Sequence, residues 1–194
     1  QSLGVSAMSL SAHKFRGPQG SGALIVKGNV PIRPILFGGN QQFALRPGTE
    51  AVALAVGMLA ALEHWHNQLR PQIAALTKLR DMLETRLLAG DDMAAVNGRG
   101  ARLPQTTNIS FLGLDRQALV MCLDRAGIAC STGSACASGS SEPSSVLTAM
   151  NCSKLTIDSS IRFSLGPTTT AADVELSVNR ILSVVKDLRS AKSK

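Results

Sequence analysis

The chain has 194 residues, 44% of them hydrophobic. That suffices for one sizeable core, while the absence of an apolar run of about eighteen residues excludes a bilayer-spanning helix. Aromatic residues make up 3%, tyrosine is absent and the net charge is +7, so the core must rest on Leu, Val, Ile, Ala and Met. The stacking platform that nucleic-acid binding needs is missing. Cys122, Cys130, Cys136 and Cys152 lack Cys-x-x-Cys spacing, which argues against a zinc site and suits a reducing cytoplasm.

The elements follow an α/β order. Residues 3–10 and 22–27 read as strands, and 33–37 as a short third. An Ala-rich helix from Thr49 to about Gln68 carries Val52, Leu54, Val56, Leu59 and Leu62, with Thr49 or Glu50 able to start it. A second helix runs from Pro71 to Leu88, where Ile73, Leu76, Leu79, Leu83 and Leu87 recur at three- and four-residue intervals as a core-facing stripe. A strand is expected over 106–112, a helix over 115–126 stopped by Gly127, and the start of a strand at 128–130. A short helix over 142–150, a strand over 160–165 and a last helix to about Leu188 complete the order. Thr170-x-x-Asp173 supplies a capping signal for that last helix.

Two segments carry chemistry. Residues 11–22 place a hydroxyl, an imidazole and the amine of Lys14 at the end of a strand, before a turn rich in Gly and Pro. A lysine so placed can form a Schiff base with a phosphorylated aldehyde while Ser11 and His13 donate to phosphate oxygens. A surface lysine in a Gly-rich turn fits those residues equally. In the second segment, nine of the fifteen residues 131–145 are Ser or Gly, with Cys136 in their midst. A cysteine on such a polar loop is either a travelling nucleophile or an incidental residue of a linker. The first fifty residues hold five Lys/Arg against one Glu, as a phosphate-binding surface would. The basic C-terminal end suits a solvated helix terminus.

Taken together, these segments resemble the cysteine desulfurases, a branch of the pyridoxal 5′-phosphate (PLP)-dependent class V aminotransferases. Ser11-Ala-His-Lys-Phe-Arg-Gly-Pro-Gln-Gly-Ser-Gly-Ala-Leu24 fits every fixed position of the family's lysine motif. Ser131-Thr-Gly-Ser-Ala-Cys136, followed by Glu142-Pro-Ser144, fits its cysteine motif. Arg46-Pro-Gly-Thr49 after Gly38-Gly39, and Ser160-Ile-Arg162-Phe-Ser-Leu-Gly166, fit two more in the expected order. Ser6 and the run Gln41-Gln-Phe-Ala44 depart from the usual pattern, away from the lysine, cysteine and arginine motifs.

The resemblance implies the C-terminal portion of an aminotransferase type I fold. Residues 1–60 would close the large PLP-binding domain and 61–194 would form a small α+β domain carrying the cysteine loop. It further implies that Lys14 holds PLP, that Ser11, His13 and Thr49 contact the cofactor, and that Arg162 pairs with the substrate carboxylate. Thr49 would reach the cofactor phosphate of a neighbouring subunit in a homodimer, though it could equally serve as an N-cap. Cys136 would take sulfur from L-cysteine as a persulfide, release alanine, and pass the sulfur to an acceptor such as an iron–sulfur scaffold. No metal site and no membrane or nucleic-acid partner is expected. Family members carry further cofactor contacts on a segment before the lysine, so the chain by itself is expected to be inactive. A selenocysteine lyase or other class V PLP enzyme, or a non-catalytic persulfide carrier, are the alternative readings.

Overall fold

The computed structural model describes residues 4–28, 30–133 and 142–192. The chain divides into two units, Gln1–Pro71 and Gln72–Lys194.

In the first unit, strands β1 (Ala7–Ser11) and β2 (Gly22–Val26) pair antiparallel, in a register that sets Ala7 against Val26 and Ser11 against Gly22. Between them the chain makes one turn of 3-10 helix, Ala12–Phe15. Helix α1 (Val52–His64) follows a long irregular stretch. It begins at Val52 with Ala51 in the cap position and no side-chain cap, so Thr49 does not serve as its N-cap. Residues 33–37 form no strand: Pro34 brings no N–H to a ladder, and Ile35 and Phe37 are 90% and 85% exposed. Ala12 is the only described residue of this unit that is buried. A two-stranded ribbon with one helix buries little apolar surface, and Leu24 and Ile25 of β2 and Val52, Val56 and Leu59 of α1 are exposed.

Past His64 the helical path continues as a π turn, Trp65–Leu69, and a 3-10 turn, Arg70–Gln72. Pro71 in that 3-10 turn lacks the N–H a continuing α-helix would use, and regular geometry resumes in α2 (Ile73–Gly90).

The second unit is a two-layer α+β arrangement. Strands β3 (Ala94–Val96), β4 (Thr106–Phe111) and β5 (Ser160–Ser164) form an antiparallel sheet in the order β3-β4-β5. Along β4, Thr107, Ile109 and Phe111 share one face by strand alternation, opposite Phe163 and Ile161 of β5. Helices α2, α3 (Arg116–Arg125) and α6 (Ala171–Lys192) supply the rest of the core through Leu83 and Leu87, Leu119 and Leu123, and Val174, Val178, Ile181 and Val185. The spacing in α6 is one helical stripe. Phe111, Leu87 and Ile181 are fully buried, each contributing about 1.5–3 kcal/mol by leaving water.

Caps set the helix ends as their residue types require. Asp115 accepts from the backbone N–H of Gln117 and Ala118 to start α3. Thr170 and Asp173 exchange bonds, the Asp173 N–H donating to Thr170 Oγ1 at 3.2 Å and the Thr170 N–H donating to Asp173 Oδ2 at 2.9 Å, so the expected capping box forms. Helix α4 (Ser145–Ala149) starts from Ser144, two residues later than the sequence places it. Two short elements escape sequence reasoning altogether, β3 and helix α5 (Lys154–Asp158), which is capped by Ser153. Residues 128–130 do not start a strand; the pairing there is a single bridge between Ser131 and Arg162.

Candidate active site

Lys14 sits in the turn that joins β1 to β2. The turn is pinned from both sides: the Gly17 N–H donates to Ala12 O at 2.8 Å, and the Ala12 N–H donates to Ser21 O at 3.0 Å. Ala12 is wholly buried beneath it, while Ser11, His13 and Lys14 are exposed. The glycines are steric requirements here. A Cβ on Gly17 would lie 2.8 Å from Ala12 Cβ, and one on Gly22 would lie 2.5 Å from Leu10 O. From α1, Gly57 approaches Pro18, where an added Cβ would be 3.0 Å from Pro18 Cγ, so that helix packs against the turn.

The side chains of Ser11, His13 and Lys14 make no hydrogen bond or ion pair with any described residue, and neither does Thr49, which is exposed in the same unit. The structure thus places Ser11, His13 and Lys14 together in one turn. A hydroxyl, an imidazole and an amine uncommitted to internal partners, on a backbone fixed by glycine, fit an aldehyde that also bears a phosphate.

Arg162 lies at the centre of β5 in the second unit, on the sheet face opposite the core. It is flanked on both sides at the same register. Asn108 of β4 is its antiparallel partner, and Ser131 bridges it across the other edge through Ser131 N–H to Arg162 O at 3.1 Å and Arg162 N–H to Ser131 O at 2.7 Å. Arg162 is half-buried, and its guanidinium has no hydrogen-bond or ion-pair partner among the described residues. Five other arginines of this unit are paired with carboxylates, Arg80 with Asp81, Arg86 with Glu175, Arg102 with Glu84, Arg116 with Asp158 and Arg189 with Asp91, while Arg180 donates to Ala126 O. A planar guanidinium in this position has the geometry to hold a carboxylate through two bonds.

Cys136 lies outside the described residues, in 134–141. The chain leaves for that segment directly from the Ser131 bridge to Arg162 and returns at the Ser144 cap of α4. Just before it, Cys130 is a different kind of thiol. Burial, and secondarily the negative charge of Asp124, push it up to about 11, so it stays protonated at neutral pH.

Sequence reasoning missed a polar network on the same sheet face. Asn97 Nδ2 donates to Asn108 Oδ1 at 2.6 Å and to Ser110 Oγ at 2.8 Å, and the Ser110 hydroxyl donates to Thr156 O at 2.8 Å. Its signal was the alternation Thr106, Asn108, Ser110 along β4, polar at each position facing away from the core. Among the described residues, no cluster of three or more His, Cys, Asp or Glu could hold a metal ion, and no helix is long and apolar enough to cross a membrane.

This hairpin, lysine turn and arginine-bearing sheet are the fold of the NifS-like, PLP-dependent proteins. The NifS-like protein from Rickettsia africae has a solved structure that matches with a TM-score of 0.83 at 31% identity, over 95% of this chain and 48% of that one. Residues 1–176 match the family Aminotransferase class-V, and the chain belongs to that family. An IscS-like cysteine desulfurase of Mycobacterium tuberculosis is 41% identical over 190 residues, 97% of this chain and 48% of the relative. A cysteine desulfurase of Nostoc is 42% identical over 187 residues, 96% of this chain and 47% of the relative. The chain spans about half the length of the curated relatives it matches.

Proposed function

We propose that this chain carries the lysine, the cysteine and the substrate arginine of a PLP-dependent cysteine desulfurase. The observation that carries the reading is the Lys14 turn, an uncommitted amine on a glycine-fixed hairpin end beside an uncommitted hydroxyl and imidazole. The names of the relatives in the same family support it.

Lys14 Nζ would hold the cofactor through its aldehyde, with Ser11 and His13 beside it and Thr49 reaching the cofactor phosphate of a second copy in a homodimer. When bound, PLP supplies an electron-withdrawing ring that weakens the bonds at the substrate's α-carbon. Arg162 binds the carboxylate of L-cysteine in its planar fork and so fixes which bonds of that carbon are presented. Lys14 Nζ would be the base for the α-proton. The Cys136 thiolate would attack the substrate sulfur; the C–S bond breaks with its electron pair going to the β-carbon, which takes up a proton, the α-carbon regains a proton from Lys14 Nζ, alanine leaves, and Cys136 keeps the sulfur as a persulfide. A Ser- and Gly-rich segment suits a nucleophile that serves both a substrate and an acceptor protein, such as an iron–sulfur scaffold in the cytoplasm.

The test is mass spectrometry after loading with PLP. Borohydride should fix the cofactor on Lys14, and L-cysteine should add one sulfur to Cys136. Fixation on Lys14 without sulfur on Cys136 would move the assignment to another PLP reaction.

A further inference from the structure

We propose that Asn108 and Arg162 together seat the substrate carboxylate, with Asn97 holding the Asn108 amide so that its nitrogen is the atom offered. The inference rests on the desulfurase reading above and deepens it.

The argument begins at Thr156 O, which can only accept. The Ser110 hydroxyl must therefore donate to it, at 2.8 Å. With its one proton spent, Ser110 Oγ can only accept from Asn97, so the Asn97 atom 2.8 Å away is the amide nitrogen. That nitrogen's second proton goes to the Asn108 atom at 2.6 Å, which is thereby the oxygen of the Asn108 amide. Each step leaves one choice. The orientation of Asn108 follows from a carbonyl two side chains away, and Ser110, fully buried, is the fixed link in the relay.

Asn108 is left with an amide nitrogen carrying two N–H donors and no partner among the described residues. Asn108 is half-buried, and that nitrogen is not among the solvent-excluded unpaired atoms of the described residues. It belongs to the residue paired directly across the strands with Arg162, on the same sheet face. Side chains so paired lie about 5 Å apart at their Cβ atoms. The pair therefore presents donors and no acceptor. A group with two oxygens and a negative charge satisfies both; a cation or a neutral donor satisfies neither. Arg162 supplies charge, and Asn108 supplies a second, directional bond that discriminates a carboxylate by position.

Equilibrium titration of the PLP-loaded protein tests this, following the cofactor's absorbance rather than turnover. L-alanine carries the amine and the carboxylate; ethylamine carries the amine alone. Asn108→Ala should weaken L-alanine by roughly tenfold or more and leave ethylamine within about twofold. Asn108→Asp keeps the bond from Asn97 but turns the offered atom into an acceptor that competes for Arg162, so L-alanine should weaken further. Equal loss for both ligands, or no loss for either, in folded Asn108 variants overturns the inference. Arg162→Ala separates it from the reading beneath. If that variant loses L-alanine selectively while Asn108→Ala does not, Asn108 is excluded and the arginine's role stands. If Arg162→Ala leaves both ligands unchanged, the carboxylate site itself is misplaced.

Discussion

Arg189 and Asp91 are joined by two parallel hydrogen bonds, Nε to Oδ1 at 3.1 Å and Nη2 to Oδ2 at 2.7 Å. The same guanidinium donates through Nη1 to Leu112 O at 2.9 Å, and one turn later Lys192 Nζ donates to Gly113 O at 2.7 Å. The end of α6 thus grips the residue after α2 and the residues after β4 at once. The fork geometry cannot be reproduced by an ammonium. Arg189→Ala should cost about 2–3 kcal/mol in urea unfolding and Arg189→Lys about 1–2 kcal/mol, since charge-assisted bonds of this kind contribute 1.5–3 kcal/mol. A lysine variant with an unchanged midpoint would refute the fork argument.

Thr107 makes the opposite case. Its hydroxyl is buried without a partner, on the core face of β4 opposite Phe163. The methyl of the same side chain packs well; the oxygen carries an uncompensated desolvation cost. Thr107→Val should therefore raise stability by about 1 kcal/mol, whereas Thr107→Ser should lower it by a similar amount through loss of the methyl. Calorimetric melting of the two variants reads the sign directly, and two shifts of the same sign would contradict the assignment.

Why these features were hidden while others were plain has a physical basis. Strands β4 and β5 alternate in sequence because one face is core, and α2 shows its stripe because Leu83 and Leu87 must face that core. The stripe is shorter than its spacing suggests, since Ile73 at its start is exposed. Strand β3 is three residues, Ala94–Val96, held by its ladder to β4 rather than by any local pattern. The run 33–37 is apolar in composition without pairing, since no described strand pairs with it. Of the proposed site residues, Lys14 and Arg162 were legible in the sequence because their motifs are contiguous. Asn108 was not: a polar residue at an outward strand position reads as solvent-facing until the register sets it opposite Arg162.

The Lys14 turn should tolerate no Cβ at Gly22. There the added atom would stand 2.5 Å from the Leu10 carbonyl oxygen, in the pair Ser11–Gly22 that closes the hairpin onto the turn. Gly22→Ala should force the strands apart and lower PLP affinity by roughly tenfold, the factor that about 1.4 kcal/mol of strain produces. Gly28→Ala is the control, because no described residue lies within 4 Å of its Cβ position. Cofactor loading measured by absorbance should fall in the first variant alone, and equal loading in both would sink the steric argument.

Cys130 supplies an internal reference against which the proposed nucleophile can be judged. Its thiol is pushed from 9.0 to about 11, chiefly by burial and further by Asp124. At pH 8 this leaves about a hundredfold less thiolate than an unperturbed thiol would have. Iodoacetamide should therefore label Cys130 at least about a hundredfold more slowly in the folded protein than in urea, read by peptide mass spectrometry. Asp124→Asn should recover a minor part of the rate, because burial is the larger cause. The linkage has a definite sign. A thiol held more tightly protonated in the folded state contributes stability below its unfolded value of 9.0, and that contribution drains away as pH rises toward about 11. Labelling of Cys130 at the unfolded rate would remove this distinction. Slow labelling, combined with full sulfur transfer in Cys130→Ala, would leave Cys136 as the cysteine that reacts in this region of the chain.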